Sequence, residues 1–168
     1  MNRRSWITRS ASLIAASPLF ARGASASTPP PFPLNKSAQE WHKLVSGDAF
    51  RVLFEEGTEA PGSSPLNHEK ATGTFVCAAC QQPLFDSAHK YDSGTGWPSF
   101  WDPIAGAIGT STDYKLIFPR TEYHCTRCGG HQGHVFGDGP KPTGKRYCNN
   151  GVALKFIPKG ETLPKLLT

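Results

Sequence analysis

The sequence has no long hydrophobic run, and beyond its first 26 residues it carries almost no net charge. The apolar stretch at residues 11–20 is too short and too rich in serine to span a bilayer as a permanent anchor. Residues 1–26 contain four arginines and no acid, so the rest of the chain has 14 basic residues (18 − 4) against 13 acidic ones. This near balance argues against a nucleic-acid partner.

The lack of acidic residues in the first 26 positions is typical of an export signal. Adjacent Arg3 and Arg4 resemble a bacterial twin-arginine signal, and Ala24-Ser25-Ala26 forms an A-x-A cleavage pattern after the apolar stretch. We therefore expect a signal peptide at residues 1–26 and an exported, periplasmic protein. A transit peptide for an organelle is the alternative, since such peptides are also rich in arginine and serine and poor in acid.

No repeat or low-complexity tract is visible apart from a proline-rich linker at residues 27–36. The remaining residues, 37–168, suit one compact domain. The chain has 17 glycines and 15 prolines, which favours short strands joined by turns over a helical bundle. We predict a mainly β fold of the α+β class, in which short N-terminal helices precede two small antiparallel sheets.

The two helices are predicted between residues 37 and 57. Ser37 and Glu40 form a capping box, and Trp41 follows at helical spacing. A second helix is expected to begin near Ser46 and to stop at Gly57. Beyond residue 58, the runs with strand character are 73–76, 84–86, 114–118, 121–124, 133–136 and 152–157.

The chain has only five cysteines, arranged as two C-x-x-C pairs and the single Cys148. Two such pairs, here 44 residues apart, have the spacing of a zinc site with four thiolates. A closed site of this kind has no open coordination position, so the one zinc ion expected per chain would be structural. Its predicted ligands are Cys77, Cys80, Cys125 and Cys128.

Three other interpretations of the cysteines stay open at this point. Export to an oxidising compartment would allow structural disulfides, although the two cysteines of a C-x-x-C unit seldom pair well. A zinc-ribbon binding module would keep the metal and leave Cys148 as a packing residue. A disulfide oxidoreductase would use one redox-active pair and would hold no metal tightly.

Cys148 and a glycine-rich turn with two histidines are the candidate catalytic groups. The cation of Arg146 and the amide of Asn150 are expected to lower the pKa of the Cys148 thiol. Strand alternation places Cys148 and Asn150 on one side of a strand. His131 and His134 could be metal ligands at this spacing, but no free cysteine or acid completes a second site. Because they lie in a glycine-rich turn near Cys148 in sequence, we expect them to transfer protons, the alternative being ordinary surface or core histidines.

Several stretches together resemble the methionine sulfoxide reductases of the B type, which are peptide-methionine (R)-S-oxide reductases. The resemblance covers about residues 37–160, nearly the whole expected catalytic domain at 37–168. It is carried by the two C-x-x-C pairs, YDSGTGWPSF at 91–100, HQGHVF at 131–136, DGP at 138–140 and RYC at 146–148.

The resemblance implies a role for each candidate catalytic residue. Cys148 would attack the sulfur of the sulfoxide and become a sulfenic acid. His131 and His134 would hold and protonate the departing oxygen. Asn150 would orient the sulfoxide or the two histidines.

The resemblance also implies the substrate contacts and the partners. Trp97, whose ring could otherwise be core, would pack against the methyl group of the substrate, and Arg146 would favour the thiolate. Many family members have a resolving cysteine where this chain has Thr95, so we expect an external reductant, either a thioredoxin-like protein or a small thiol. The expected protein is a monomer that repairs oxidised protein methionines or reduces free methionine R-sulfoxide.

Overall fold

The computed structural model of the chain describes residues 32–115 and 117–168. The predicted signal segment at residues 1–26 and linker residues 27–31 lie outside these ranges. The helices are α1 (Ala38–Leu44) and α2 (Gly47–Glu55), with 3-10 turns at Pro65–Asn67, Ser87–His89 and Gly151–Ala153. The strands are β1 (Gly73–Cys77), β2 (Pro83–Asp86), β3 (Lys90–Tyr91), β4 (Ser99–Phe100), β5 (Ile108–Asp113), β6 (Arg120–Cys125), β7 (His131–Phe136), β8 (Arg146–Asn149) and β9 (Leu154–Pro158).

Both predicted helices are confirmed. The Ser37 hydroxyl accepts the backbone N–H of Glu40, and the Glu40 carboxylate accepts the N–H of Ser37, which completes the capping box. The hydroxyl of Ser46 caps α2, which ends where Glu56 adopts a left-handed conformation with a φ of 52°. Within the described ranges, no helix combines the length and the apolar character that crossing a membrane requires.

The strands form two antiparallel sheets, as predicted. One sheet has three strands in the order β2-β1-β9, and the other has six in the order β3-β4-β8-β7-β6-β5. The short strand β8 therefore lies in the interior of the larger sheet, with β4 on one side and β7 on the other. This arrangement places the residues of β7 and β8 side by side although they are distant in sequence.

Aromatic side chains form the core between the two sheets. Phe85 of the smaller sheet stacks on Phe100 of the larger sheet at a centroid distance of 4.2 Å, and Phe75 meets the same ring edge-on at 4.9 Å. All three rings are fully buried. Burying such a side chain stabilises a fold by about 1.5–3 kcal/mol. This cluster therefore holds the two sheets together and fixes β4, which carries Phe100, against the smaller sheet.

One predicted strand is wrong. None of the described residues of the run 114–118 is in a strand; the run belongs to the loop between β5 and β6. The strand in this part of the chain is β5, Ile108–Asp113, which lies at the edge of the larger sheet. It consists mostly of small polar residues, and the sequence analysis missed it. Its backbone pairs with β6 while Thr110, Ser111 and Thr112 are exposed, so no apolar alternation marked it.

Candidate active site

Cys148 lies in β8 at the centre of the larger sheet. Its register partners are Ser99 on β4 and His134 on β7, and side chains directly opposed in this way have Cβ atoms about 4.5–5.5 Å apart. The half-buried side chain of Cys148 lines an open cavity of about 120 Å³. The cavity wall also includes Thr58, Trp97, Arg120, His134, Phe136 and Asn150.

Strand register produces a row of ionisable side chains that leads to this cavity. Asp113 on β5 is opposite Arg120 on β6, Glu122 on β6 is opposite His134 on β7, and His134 is opposite Cys148 on β8. A bulge between β6 and β7 sets the place of His131 in this row. The two predicted histidines are thus brought to the same side of the sheet as the cysteine.

Each of the two histidines is held by a carboxylate. His131 Nδ1 lies 2.7 Å from Glu122 Oε1, and His134 Nε2 lies 2.8 Å from Asp113 Oδ2. The two imidazole rings meet edge-to-face with centroids 5.5 Å apart. His131 Nε2 is buried and has no hydrogen-bond partner in the part of the chain that the structure describes. One nitrogen of His131 is therefore held by Glu122, and the other has no hydrogen-bond partner among the described residues.

The electrostatics favour ionised carboxylates beside a neutral His134. The backbone N–H of Lys115, together with His134 and Arg120, holds the pKa of Asp113 well below its usual range. The hydrogen bond from His131 lowers the pKa of Glu122. Burial lowers the pKa of His134, and Asp113 offsets this only in part. A neutral His134 that donates Nε2–H to Asp113 keeps Nδ1 as an acceptor.

The Cys148 thiol differs from the sequence-based expectation. Burial raises the pKa of Cys148 above its ordinary value, while the neighbouring Arg146 charge and the Thr95 hydroxyl lower it by less. The expected direction of the Arg146 contribution is confirmed, but the expected net lowering is wrong, because desolvation is the larger effect. The raised pKa favours the thiol form of Cys148 in the free protein.

Arg146 is already engaged by another carboxylate. Its guanidinium binds Asp138 through two hydrogen bonds, Nε to Oδ1 at 2.8 Å and Nη2 to Oδ2 at 3.0 Å, and lies 4.3 Å from the centre of the Phe136 ring. Because the negative charge of Asp138 offsets the positive charge of Arg146, Arg146 lowers the pKa of Cys148 less than an unpaired arginine would. Arg146 lies next to the sulfur and does not line the cavity.

A chain of hydroxyl groups lies on the other side of Cys148. Ser93 Oγ is 2.8 Å from Thr95 Oγ1 and 2.7 Å from Ser99 Oγ, and Ser99 is the register partner of Cys148 on β4. The network holds Thr95 close enough to the sulfur to influence its pKa. Thr95, the position expected to hold a resolving cysteine in many relatives, is thus a neighbour of the thiol.

Trp97 and Asn150 form adjoining parts of the cavity wall, and one buried glutamate joins them. Trp97 Nε1–H donates to the backbone carbonyl of Glu59 at 3.2 Å, and Glu59 N–H donates to Asn150 Oδ1 at 3.0 Å. The Glu59 carboxylate accepts the backbone N–H groups of Gly151 and Val152 at 2.6 and 3.0 Å. Glu59 therefore fixes the tryptophan wall against the end of β8.

The Asn150 amide is engaged with backbone groups. Its Nδ2 donates to the carbonyl of Gln132 at 3.0 Å, and its Oδ1 accepts from Glu59. Asn150 lies one residue beyond β8, yet it shares the cavity with Cys148, in agreement with the predicted common side. With these bonds it holds β7 next to His131 in register.

Gln132, between the two histidines, links this site to the paired cysteines. Its fully buried side chain accepts from Asn149 Nδ2 at 3.3 Å and donates to Cys77 Sγ at 3.6 Å. Because Gln132 is adjacent to His131 in β7, the position of that histidine depends on the sulfur cluster. The sequence analysis missed this residue.

The four paired cysteines converge at one buried point between the sheets. Cys77 ends β1 of the smaller sheet, and Cys125 ends β6 of the larger one. Sulfur separations are 3.7 Å for Cys77–Cys128 and 3.5 Å for Cys80–Cys125, and all four sulfurs lie within 4.8 Å of one another. All five cysteines are described and free, and the four paired ones converge on one cluster, which favours the metal-site interpretation over structural disulfides.

These separations fit a tetrahedral metal site. Zinc bound by four thiolates has Zn–S bonds of about 2.3 Å, which correspond to sulfur–sulfur edges of about 3.8 Å. The N–H that Gln132 directs at Cys77 is the kind of donor that stabilises a metal-bound thiolate. The cluster can therefore hold one metal ion, and Cys148 is not part of it.

Four further residues of the site were not predicted: Glu59, Asp113, Glu122 and Gln132. Each acts on a predicted residue through a bond between distant parts of the chain. The alternation Arg120, Glu122, His124 along β6 is the one signal in the sequence that a polar face exists there. Which histidine each carboxylate binds depends on strand register, which the sequence does not reveal.

Comparison with known proteins agrees with this geometry. A family model described as the SelR domain matches residues 45–158. A relative from Methanosarcina barkeri named "Peptide methionine sulfoxide reductase MsrB" is 48% identical over 124 residues, covering 73% of this chain and 87% of its own length. A relative of the same name from Leptospira interrogans is 46% identical over 126 residues, covering 74% of this chain and 96% of its own length.

A third relative, from Arabidopsis thaliana, is named "Peptide methionine sulfoxide reductase B1, chloroplastic" and is 41% identical over 148 residues, covering 82% of this chain and 73% of its own length. The matched region contains both C-x-x-C pairs, both histidines and Cys148. The chain therefore belongs to the SelR-domain family, which is the family of the MsrB methionine sulfoxide reductases.

Proposed function

We propose that the protein reduces methionine (R)-sulfoxide to methionine and that Cys148 is the nucleophile. As a member of its family the chain is an oxidoreductase, a peptide methionine sulfoxide reductase. The observation that carries the assignment of Cys148 is its position in a cavity, opposite His134 and apart from the four clustered sulfurs. A packing cysteine, as in a zinc-ribbon binding module, would need no such cavity.

The first step needs no reactant beyond the enzyme and the sulfoxide. The Cys148 sulfur attacks the sulfoxide sulfur and forms an S–S bond, while the protonated oxygen leaves as water when the S–O bond breaks. Attack of that water on the Cys148 sulfur then breaks the S–S bond, which releases methionine and one proton and leaves a Cys148 sulfenic acid. The substrate sulfur gains two electrons and Cys148 loses two. The thiol proton balances the reaction, because it ends on the oxygen that leaves.

His134 is suited to move that proton. Its neutral ring keeps Nδ1 as an acceptor while Asp113 fixes Nε2, and His134 is directly opposite the thiol. It can take the proton from Cys148 as attack begins and deliver it to the departing oxygen. His131, fixed by Glu122, is proposed to bind the same oxygen through its free Nε2.

Trp97 and Asn150 are proposed to position the substrate. The Trp97 ring lines the cavity and gives an apolar surface for the methyl group on the sulfoxide sulfur. Asn150 acts as a positioning residue, because its amide holds Gln132 and Glu59 in place. Together these walls would favour the R arrangement at sulfur, as the family resemblance implies.

An external thiol is proposed to restore the enzyme. The sulfenic acid reacts with one thiol to release water and form a mixed disulfide, and a second thiol then releases Cys148 and leaves as a disulfide. The other four cysteines are buried in their own cluster, and Thr95 has a hydroxyl where a second thiol would be needed. A thioredoxin-like protein or a small thiol would supply the two electrons.

The sulfur cluster is proposed to hold one structural zinc ion. Bound zinc would supply four bonds between the two sheets and no catalytic chemistry, because four thiolates leave no open position. Cys77, Cys80, Cys125 and Cys128 would hold it.

Export is the proposal for residues 1–26. It is supported by the four arginines, the absence of acid and the cleavage pattern at 24–26. Expression in a bacterium with and without a twin-arginine export system, followed by mass spectrometry of the periplasmic protein, tests the export proposal; an uncleaved, cytoplasmic product in both strains contradicts it.

We also propose that the mature domain acts as a monomer.

Turnover of resolved sulfoxides tests the proposed reaction. With dithiothreitol as the reductant, the wild type should reduce N-acetyl-methionine R-sulfoxide and leave the S epimer unchanged. Cys148→Ser should lose all turnover and keep its metal and its unfolding transition, because Cys148 is outside the sulfur cluster. Residual activity of Cys148→Ser, or equal turnover of both epimers, would contradict the proposal.

A further inference from the structure

Three large apolar side chains are exposed among the described residues of the loop between β5 and β6. Tyr114, Ile117 and Phe118 are 77%, 94% and 79% exposed. Single exposed apolar residues are ordinary, but three on one short loop are typical of an interaction site. We refer to these three side chains as the apolar loop.

The loop that carries these side chains begins and ends at residues of the candidate active site. The residues that flank it, Asp113 and Arg120, are register partners joined by an ion pair of 2.6 Å. Arg120 lines the cavity, and Asp113 binds His134. Lys115 pairs with Glu56, which connects the loop to the end of α2. Both ends of the loop are therefore anchored beside the cavity.

The cavity leaves most of a protein substrate outside. A volume of about 120 Å³ admits a side chain but not a polypeptide backbone, so the chain that carries the sulfoxide must cross the cavity rim. Methionine is usually buried among apolar neighbours in folded proteins. A segment whose methionine has become oxidised and exposed therefore brings apolar residues with it, and these gain by leaving water.

We propose that the apolar loop binds the apolar residues that flank methionine sulfoxide in an oxidised, exposed protein segment. This inference rests on the proposed function and specifies its substrate class. Free methionine sulfoxide fills the cavity and leaves the loop uncovered, whereas a peptide with apolar flanks occupies both. The loop therefore makes the protein favour peptides with apolar flanks over peptides with polar flanks.

The test compares three substrates with the full chain and dithiothreitol as the reductant. They are a peptide with Leu and Val beside methionine R-sulfoxide, the same peptide with Gly and Ser instead, and N-acetyl-methionine R-sulfoxide. For the double variant Ile117→Ser/Phe118→Ser, kcat/KM for the apolar peptide should fall about tenfold, which corresponds to about 1.4 kcal/mol. Values for the other two substrates should stay within about twofold.

A matched control separates docking from general loss of apolar surface. Leu163 is another exposed apolar residue, 44% exposed, at the edge of the smaller sheet. Leu163→Ser should leave all three kcat/KM values unchanged. Because Ile117 and Phe118 are almost fully exposed, their replacement should not alter the unfolding transition.

Several results would overturn the docking proposal. These are an unchanged kcat/KM for the apolar peptide, an equal fall for all three substrates, or a defect that appears only when a thioredoxin-like protein replaces dithiothreitol. A wild-type dimer that the double substitution dissociates would show that the loop binds a second copy and would also overturn it.

A binding measurement keeps the proposal separate from the reaction. The Cys148→Ser variant should bind the fluorescent apolar sulfoxide peptide, and adding the Ile117→Ser/Phe118→Ser changes should weaken that binding about tenfold. If the wild type turns over none of the three substrates, the proposed function fails, and this measurement still decides whether the loop docks apolar peptides. Equal binding by both variants would refute the docking.

Discussion

At the scale of single residues, the site combines the thiol that we propose as the nucleophile with a histidine whose neutral form is favoured. Burial outweighs the effects of Arg146 and Thr95 on Cys148, and it also disfavours a charged His134. A thiol proton is thus available at the atom where the reaction needs to remove it. In the proposed reaction the thiolate would form during attack, and the same proton would leave with the oxygen.

The raised pKa of Cys148 predicts the pH dependence of its alkylation in the free enzyme. Because only the thiolate reacts, the rate with iodoacetamide should keep rising with pH past the range of an ordinary thiol, whose pKa is about 8.5. The rate is measured by mass spectrometry of the Cys148 peptide, with Cys148→Ser as the control for other sites. A rate that levels off below pH 7 would show that a stabilised thiolate is present instead.

Thr95 offers a second prediction at this scale. Thr95→Cys places a thiol beside the Cys148 sulfur, so one turnover without reductant should produce an internal disulfide and consume two thiols. The wild type should consume one thiol and hold a sulfenic acid. Thiol titration and non-reducing peptide mapping measure the difference.

Thr112→Cys is the matched control for that experiment, because Thr112 is exposed on the edge strand β5. This variant should keep its added thiol free after the same turnover. An intramolecular disulfide of Cys148 in the wild type would contradict resolution by an external thiol.

At the scale of secondary structure elements, the cavity depends on how separate segments meet. The two strands β7 and β8 are joined tightly enough that a Cβ on Gly133 would lie 1.9 Å from the carbonyl oxygen of Cys148. The chain around Glu59 then closes one side, since it binds Trp97, Asn150 and the 3-10 turn at Gly151–Ala153. The candidate catalytic side chains lie on strands, and the loop that contains Glu59 forms one wall of their cavity.

Glu59→Gln tests this closure. One of the two N–H groups now bonded to carboxylate oxygens would meet an amide NH₂, which should cost about 1–3 kcal/mol of unfolding free energy in urea. The end of β8 should also shift against Trp97, so KM for the sulfoxide should rise several-fold. Glu55→Gln, on the exposed end of α2, should change neither quantity. Unchanged stability and KM in Glu59→Gln would remove its positioning role.

At the scale of the whole molecule, the sulfur cluster joins the two sheets and both ends of the described chain. Leu34 donates its N–H to the carbonyl of Arg127, and Leu167 donates to that of Cys80. These contacts place residues of the linker and the C-terminal tail on the two C-x-x-C turns. A metal ion at this point would therefore stabilise several elements at once.

Removal of the metal provides the prediction at this scale. Purified protein should contain about one zinc per chain, and its removal by a chelator under denaturing conditions should lower the Tm by about 10 °C or more. Cys128→Ser should have the same effect on metal content and Tm. Cys148→Ser should retain zinc at the wild-type level. A metal-free wild type with an unchanged Tm would refute a structural zinc.

The two helices and the two C-x-x-C units that form the sulfur cluster could be predicted from the sequence, because they depend on local signals. The capping box at Ser37 and the C-x-x-C spacing involve residues a few positions apart, and short-range geometry determines both. The strand β5 could not be read, because an edge strand of threonine and serine has no apolar alternation. Because β5 was not recognised, the prediction placed a strand at residues 114–118, which belong to the loop that follows β5.

By itself, the sequence determined which chemical groups the protein has: four paired sulfurs, one separate thiol and two histidines on a glycine-rich segment. Only the tertiary structure decided the carboxylate partner of each histidine, the burial that raises the pKa of Cys148 and the cavity that Cys148 shares with His134. The physical reason is that residue type and spacing are local properties of the chain. Register, desolvation and cavity shape arise when distant strands pack and exclude water.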